Sequence, residues 1–309
     1  MAQQQVKLSE QLFEPIDQKA LGAEEITRPS MNFWQDAWRR LKQNKLAMFG
    51  LVMLVALIAM AIVGPWLSGH TYYDTNPKLN NLPPSSDYWF GTDDLGRDVF
   101  TRVWYGARIS LFIGVAAALI DLALGIVWGG VAAYYGGKVD EAMMRFADIL
   151  YGLPHLLVVI MLMVVMEQGL FTIIIAMTIT GWIGMARIVR GEILQLKEQE
   201  YVLAARSLGA SAFRILFKHL IPNAMGPIIV TMTLTVPSAI FTEAFLSFLG
   251  LGVQAPIASW GTMANDGLGA LRFYPWRLFF PAIFISITML SFNVFGDGLR
   301  DALDPRMRK

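Results

Sequence analysis

The residues with chemistry to offer are few and scattered. Asp93, Asp94 and Asp98 lie close together with Arg97 among them. A calcium loop needs alternating oxygen ligands and usually closes on a bidentate glutamate. This stretch has neither, so it reads as an ion-paired structural loop. His70, His155 and His219 are far apart and share no ligand spacing, which makes them structural histidines. The chain has no cysteine, which excludes disulfide frameworks, zinc–thiolate sites and thiol catalysis. Gly136-Gly137-Lys138 resembles the end of a phosphate loop, but Val139 stands where Ser or Thr is needed and the upstream glycine is missing. No nucleophile lies in a pattern with a base, so catalysis is not expected.

Two carboxylates fall inside long apolar runs, Asp121 and Glu243. A carboxylate there is costly; it is either functional or a paired or protonated group holding helices together. The structural reading suits Asp121, alone in an apolar helix. Both readings stay open for Glu243, because its run also carries Thr231, Thr233, Thr235, Ser238, Thr242 and Ser247. These hydroxyls either line a polar path or bond back to their own helix and its neighbours.

The elements that position these residues are membrane spans. The chain of 309 residues is 55% hydrophobic and only 16% charged, against about 25% charged in an ordinary soluble domain. A net charge of +1 provides no bulk field toward nucleic acid. A helix rises about 1.5 Å per residue, so roughly 20 apolar residues cross a bilayer. Six segments meet that need: Leu46–Leu67, Ile109–Ala132, Ile149–Met166, Leu170–Val189, Met225–Leu249 and Leu278–Val294. Only Glu167, Gln168 and Gly169 separate the third from the fourth, which forces an antiparallel hairpin.

Residues 1–30 form a polar tail rather than a signal peptide, since the first apolar run starts only at Leu46. Residues 31–45 read as an amphipathic helix on the membrane surface. Phe33, Trp34, Ala37, Trp38 and Leu41 share one face, Asp36, Arg39, Arg40 and Gln43 lie elsewhere, and Asn32 with Gln35 suits a cap. Of the 25 lysines and arginines, Lys78, Arg97, Arg102, Arg108, Arg272 and Arg277 fall in segments on one side. The other 19 fall on the opposite side, which the positive-inside rule makes cytoplasmic together with both termini. The expectation is an all-α protein of six transmembrane helices occupying residues 46–309.

Between the fourth and fifth spans lies the polar stretch Gln199–Asn223, within a loop of residues 190–222. Val202–Leu208 is a short helical run, Gly209 ends it where the chain must turn left-handed, and Ser211 can cap a second helix, Ala212–Leu220. Pro222 suits the first turn of the fifth span. A helix–turn–helix joined to two spans can pass a push from a cytoplasmic partner into the membrane.

In Leu203, Ala204, Ala205, Gly209, His219, Leu220, Ile221 and Pro222 the loop resembles the motif E-A-A-x-x-x-G, nine residues, I-x-L-P of ABC importer permeases. Leu203 replaces the glutamate and His219 the isoleucine, which removes any ionic role at Leu203. Tyr88–Phe100, Arg102–Leu111, Ala244–Gly252, Ala258–Met263 and the ending Gly296–Pro305 are similar to the second permease subunit of bacterial oligopeptide and dipeptide importers. The resemblance covers about residues 31–309.

The resemblance implies a type I ABC importer permease fold in the cytoplasmic membrane, with Leu203, Ala204, Ala205, Gly209, Ser211, His219 and Pro222 coupling to ATPases. It also implies a second homologous permease subunit, two cytoplasmic ATPases that bind ATP and Mg, and an extracytoplasmic peptide-binding protein that docks on the outer face. The substrate would be peptide, passing Thr235, Ser238, Thr242 and Glu243, and this chain would itself hold no cofactor. The competing reading is a secondary transporter driven by an ion gradient. That class usually shows inverted repeats and interrupted helices, and it leaves the loop without a task.

Overall fold

The computed structural model describes residues 32–304. The expected polar tail of residues 1–30 and the last residues from Pro305 lie outside the described residues. The described chain is helical, with one isolated bridge between Thr92 and Asp98.

The amphipathic helix α1 (Phe33–Gln43) is followed by α2 (Lys45–Val63), whose start is capped by the Asn44 side chain accepting from the Ala47 N–H at 3.1 Å. Then α3 (Val99–Tyr135) starts well before the expected Ile109, because Asp98 caps it by accepting from the Phe100 and Thr101 N–H groups. The other long helices are α6 (Leu170–Leu196), α9 (Ile221–Leu246) and α11 (Trp276–Leu303). With its extensions, each of the five is long and apolar enough to cross a membrane.

The third expected span, Ile149–Met166, is not one helix. It is α5 (His155–Val165) joined to α4 (Gly137–Tyr151) with a bend of 78° between them. Pro154 lacks an N–H and steers Leu153 away from helical geometry, and Gly152 adds freedom beside it. Eleven residues reach only about 17 Å, short of the roughly 30 Å hydrocarbon core, so α5 crosses only together with the break. Glu167, at φ +64°, turns the chain back, and α5 packs along α6 in the expected hairpin.

The helices pack as they must in lipid, where small residues let backbones approach. Gly125 and Gly129 of α3 lie against Met185 and Ala186 of α6, and Gly114 lies against Ile240 of α9. Gly50 of α2 faces the Ser291 carbonyl of α11. The end of the bundle where α3 begins is tied by charge. Arg97 Nε donates to Asp93 at 2.7 Å, Arg102 lies 3.4 Å from the same carboxylate, and Arg277 of α11 pairs with Asp94 at 3.1 Å. The expected ion-paired loop is therefore the knot that joins the segment after α2 to α3 and α11. Burial pushes the Asp266 carboxyl up from its ordinary range, and the nearby Arg102 offsets part of that.

A Cβ at Gly129 would overlap the Ala186 carbonyl oxygen, whereas one at Gly130 would meet only Leu216 Cδ1 at an ordinary 3.4 Å. Gly129→Leu should therefore destabilise the purified protein in a thermal-unfolding assay by about 1–3 kcal/mol, the usual overpacking cost. Gly130→Ala should leave the same transition within error of the parent.

Candidate functional site

The loop after α6 is built on firm ground. Arg190 grips Asp140 of α4 with two hydrogen bonds of 2.6 Å, and Lys197 Nζ donates to the Ala133 carbonyl at the end of α3 at 3.0 Å. From there α7 (Glu200–Ser207) sends one side chain inward. Val202 is buried with Ile193, Ile215, Leu216 and Leu220, which anchors the short helix to the bundle.

Gly209 has φ +77°, the left-handed conformation expected of it. The Ala210 N–H reaches back to the Ala205 carbonyl at 3.1 Å and closes the end of α7. Ser211 Oγ then accepts from the Arg214 N–H at 3.3 Å and starts α8 (Ala212–Arg214). The second loop helix does not stop at Leu220 as expected. A π-helical turn, Ile215–Leu220, carries it into α9, so one helical run extends from Ala212 through α9 to a kink at Gly250, where φ is +81°. Pro222 therefore falls inside the run and not at a helix start, directly after the π-helical turn, where the regular i→i−4 ladder is already interrupted.

Of the named loop residues, Leu203, Ala204, Gly209 and Ser211 are exposed, and Ala205 and His219 are half-buried. Three apolar residues that sequence reasoning did not single out join them: Leu208 is 87% exposed, Phe213 71% and Phe217 42%. The Phe213 and Phe217 rings lie 4.5 Å apart, four positions along one helical face. The signal of the two phenylalanines in the sequence was an apolar pair four positions apart on the face opposite Ile215.

Along α9, Thr231, Thr235, Ser238 and Thr242 recur at the helical repeat and form one stripe, exposed at Ser238 and half-buried elsewhere. Each hydroxyl donates to the carbonyl four residues back, Thr235 at 2.9 Å and Thr242 at 2.9 Å. Glu243 does not share this stripe. It is fully buried and accepts from Ser110 Oγ of α3 at 3.0 Å and Ser247 Oγ at 2.8 Å. Ser110 Oγ accepts in turn from the Trp260 N–H at the start of α10 (Trp260–Leu268). The carboxylate thus ties α3, α9 and α10 together. Asp121 is buried against Gly181 of α6, and its Oδ1 has no hydrogen-bond partner among the described residues.

Residues 122–309 match the family described as binding-protein-dependent transport system inner membrane component, and residues 32–84 match the N-terminal transmembrane domain of oligopeptide transport permease C. The chain belongs to this permease family. Family membership makes it a multi-pass membrane transport component and disfavours the ion-gradient alternative. The oligopeptide transport system permease protein OppC of Bacillus subtilis (strain 168) is 65% identical over 96% of this chain and 98% of its own. The dipeptide transport system permease protein DppC of the same organism is 65% identical over 93% of this chain and 90% of its own. Among solved structures, the inward-facing MetNI methionine ABC transporter superposes with a TM-score of 0.55 at 17% identity, covering 66% of this chain and 96% of that one. That likeness places the fold among ABC importer permeases.

Nothing lies within 4 Å of a Cβ at Gly209, so a substitution there acts through backbone strain alone. Gly209→Val should leave membrane insertion intact but abolish transport, because a β-branched residue disfavours positive φ. Gly209→Asn should retain most of it, since Asn tolerates that region. Uptake assays on membranes with matched permease content distinguish the two.

Proposed function

We propose that this chain is one half of the transmembrane path of an ATP-driven importer of oligopeptides or dipeptides. The observation that carries this reading is the exposed apolar pair Phe213 and Phe217 at the start of a helix continuous with α9, with exposed Leu208 at the end of α7 across the Gly209 turn. Such surface calls for a protein partner, and a partner seated there moves a membrane span directly. Two ATPase subunits grip the coupling loops of this chain and its partner permease from the cytoplasm, with Leu203, Ala204, Ala205, Gly209, Ser211, His219 and Pro222 forming this chain's contact and its hinge. ATP and Mg are bound and turned over in those subunits. A second, homologous permease completes the path, and an extracytoplasmic binding protein delivers the peptide. The names of the 65%-identical relatives support peptide as cargo.

Both termini and the loop face the cytoplasm, following the distribution of basic residues. Residues 1–30 are a cytoplasmic tail. The helix α1 lies at the inner interface, with Trp34 and Trp38 exposed and Lys42 Nζ 5.1 Å from the Trp38 ring centre. Thr235, Ser238 and Thr242 offer a polar face to the path. Glu243 sits behind them and sets the position of α9 through Ser110 and Ser247.

Orientation is testable because single cysteines can be placed freely. A cysteine at Ser85 should react with a membrane-impermeant thiol reagent from the extracytoplasmic side of intact, accessible cells; shielding there would reverse the topology. The energy source is tested by reconstituting the chain with its partner permease, ATPases and binding protein. Uptake of labelled peptide should require ATP on the loop side and survive collapse of the ion gradient, while the chain alone should hydrolyse none. Uptake that follows the proton gradient and ignores ATP would return the secondary-transporter reading.

A further inference from the structure

The break between α4 and α5 starts beside an ion pair, Arg187 with Asp148 at 2.8 Å and over the Tyr151 ring, and ends at His155 against the apolar stretch of α6. His155 Nδ1 is 2.7 Å from Thr180 Oγ1. Thr180 stands about 15 Å along α6 from its start at Leu170, and Arg187, the next charged residue, follows about 10 Å further on. The pair therefore sits within the apolar stretch of the bundle. Beside it, Val159 and Met163 of α5 pack with Ile173, Ile174 and Met177 of α6.

Residues 151–157 are nevertheless all exposed, including the non-helical Gly152, Leu153 and Pro154. Hydrocarbon offers no hydrogen-bond partner, so irregular backbone at this depth occurs only where protein covers it or water fills the space beside it. An ionisable side chain in a span obeys the same rule and turns to the bundle interior or a wet cavity. Two different groups, an exposed break and an exposed imidazole–hydroxyl pair, thus mark one face as turned away from lipid.

We propose that the break at Gly152–Pro154, with His155 and Thr180, lines the water-filled lumen of the assembled permease and hydrogen-bonds the backbone of the peptide in transit. The choice of cargo rests on the reading given above. At the end of α4 the Asp148 and Leu150 carbonyls accept from the Gly152 and Leu153 N–H groups, which leaves those of Ile149 and Tyr151 as acceptors for peptide N–H groups. Imidazole and hydroxyl can each donate or accept. Every peptide presents N–H and C=O groups at each residue whatever its side chains, so a station of this kind takes cargo of varied sequence.

Leu153→Cys in the chain assembled with its partner permease, ATPases and binding protein supplies the test, with Val55→Cys on the exposed face of α2 as the lipid-facing control. A charged methanethiosulfonate should modify the cysteine at position 153, saturating peptide should slow that reaction, and an apolar maleimide alone should modify the one at position 55. Modification at position 153 by the apolar reagent only would place the break in lipid, and resistance to both would bury it under another subunit; either result overturns the proposal. His155→Leu should lower peptide uptake about tenfold at matched complex yield, the scale of one lost hydrogen bond, and His155→Asn should restore most of it. Full uptake with His155→Leu would remove the peptide contact. If the parent complex imported a non-peptide solute instead, the cargo reading would fall while the labelling pattern still decided the lumen.

Discussion

The helical run that begins at Ala212 does not stop at the membrane surface, and the rest of the molecule depends on that continuity. A bilayer core satisfies no backbone group, so the chain crosses it as helix. Here the crossing helix is also the arm of the loop, although Pro227 and Pro237 each remove one bond from its ladder. Its lower end is held by Ile215, Leu216 and Leu220 against Val202 and Ile193. Its upper end is held by Glu243 through Ser110 and Ser247. A displacement at Phe213 can pass along α9 toward Glu243, where the Trp260 N–H of α10 shares the Ser110 hydroxyl.

The polar groups inside the bundle divide by what satisfies them. Glu243 has its partners within the chain and is closed off from solvent. The α9 hydroxyls satisfy their protons on their own helix, which leaves a mildly polar surface without a buried charge. At the end of the bundle where α3 begins, Arg97, Arg102 and Arg277 are buried beside carboxylates that hold the long segment before α3 in place. Burying three guanidiniums is costly unless each is paired, so this knot fixes the geometry of that segment as much as it stabilises it.

Much of this was legible in the sequence. Long apolar runs announce spans because only transfer into lipid explains them, and Gly209 and Ser211 announce the turn because their backbone and capping roles are local. The broken span was not legible: hydropathy sums the residues from 149 to 166 without regard to Pro154, which sets direction rather than polarity. Glu243 could be flagged but not explained, since Ser110 lies 133 positions away and only the fold brings them together. In α1 the five apolar residues expected on one face divide their work: Ala37 and Leu41 pack against α9 and α11, while Trp34 and Trp38 remain exposed. A helical wheel shows a shared face but not where a neighbouring helix ends.

The central claim is that the exposed end of this helix receives force from a separate ATPase. Site-directed cross-linking from Leu208→Cys to single cysteines on the purified ATPase subunits tests it directly in the assembled transporter. The account predicts a cross-link that forms at this position, stops peptide uptake and is reversed by reductant. Absence of any cross-link at Leu208 in a complex that transports peptide, or undiminished uptake while cross-linked, would contradict it.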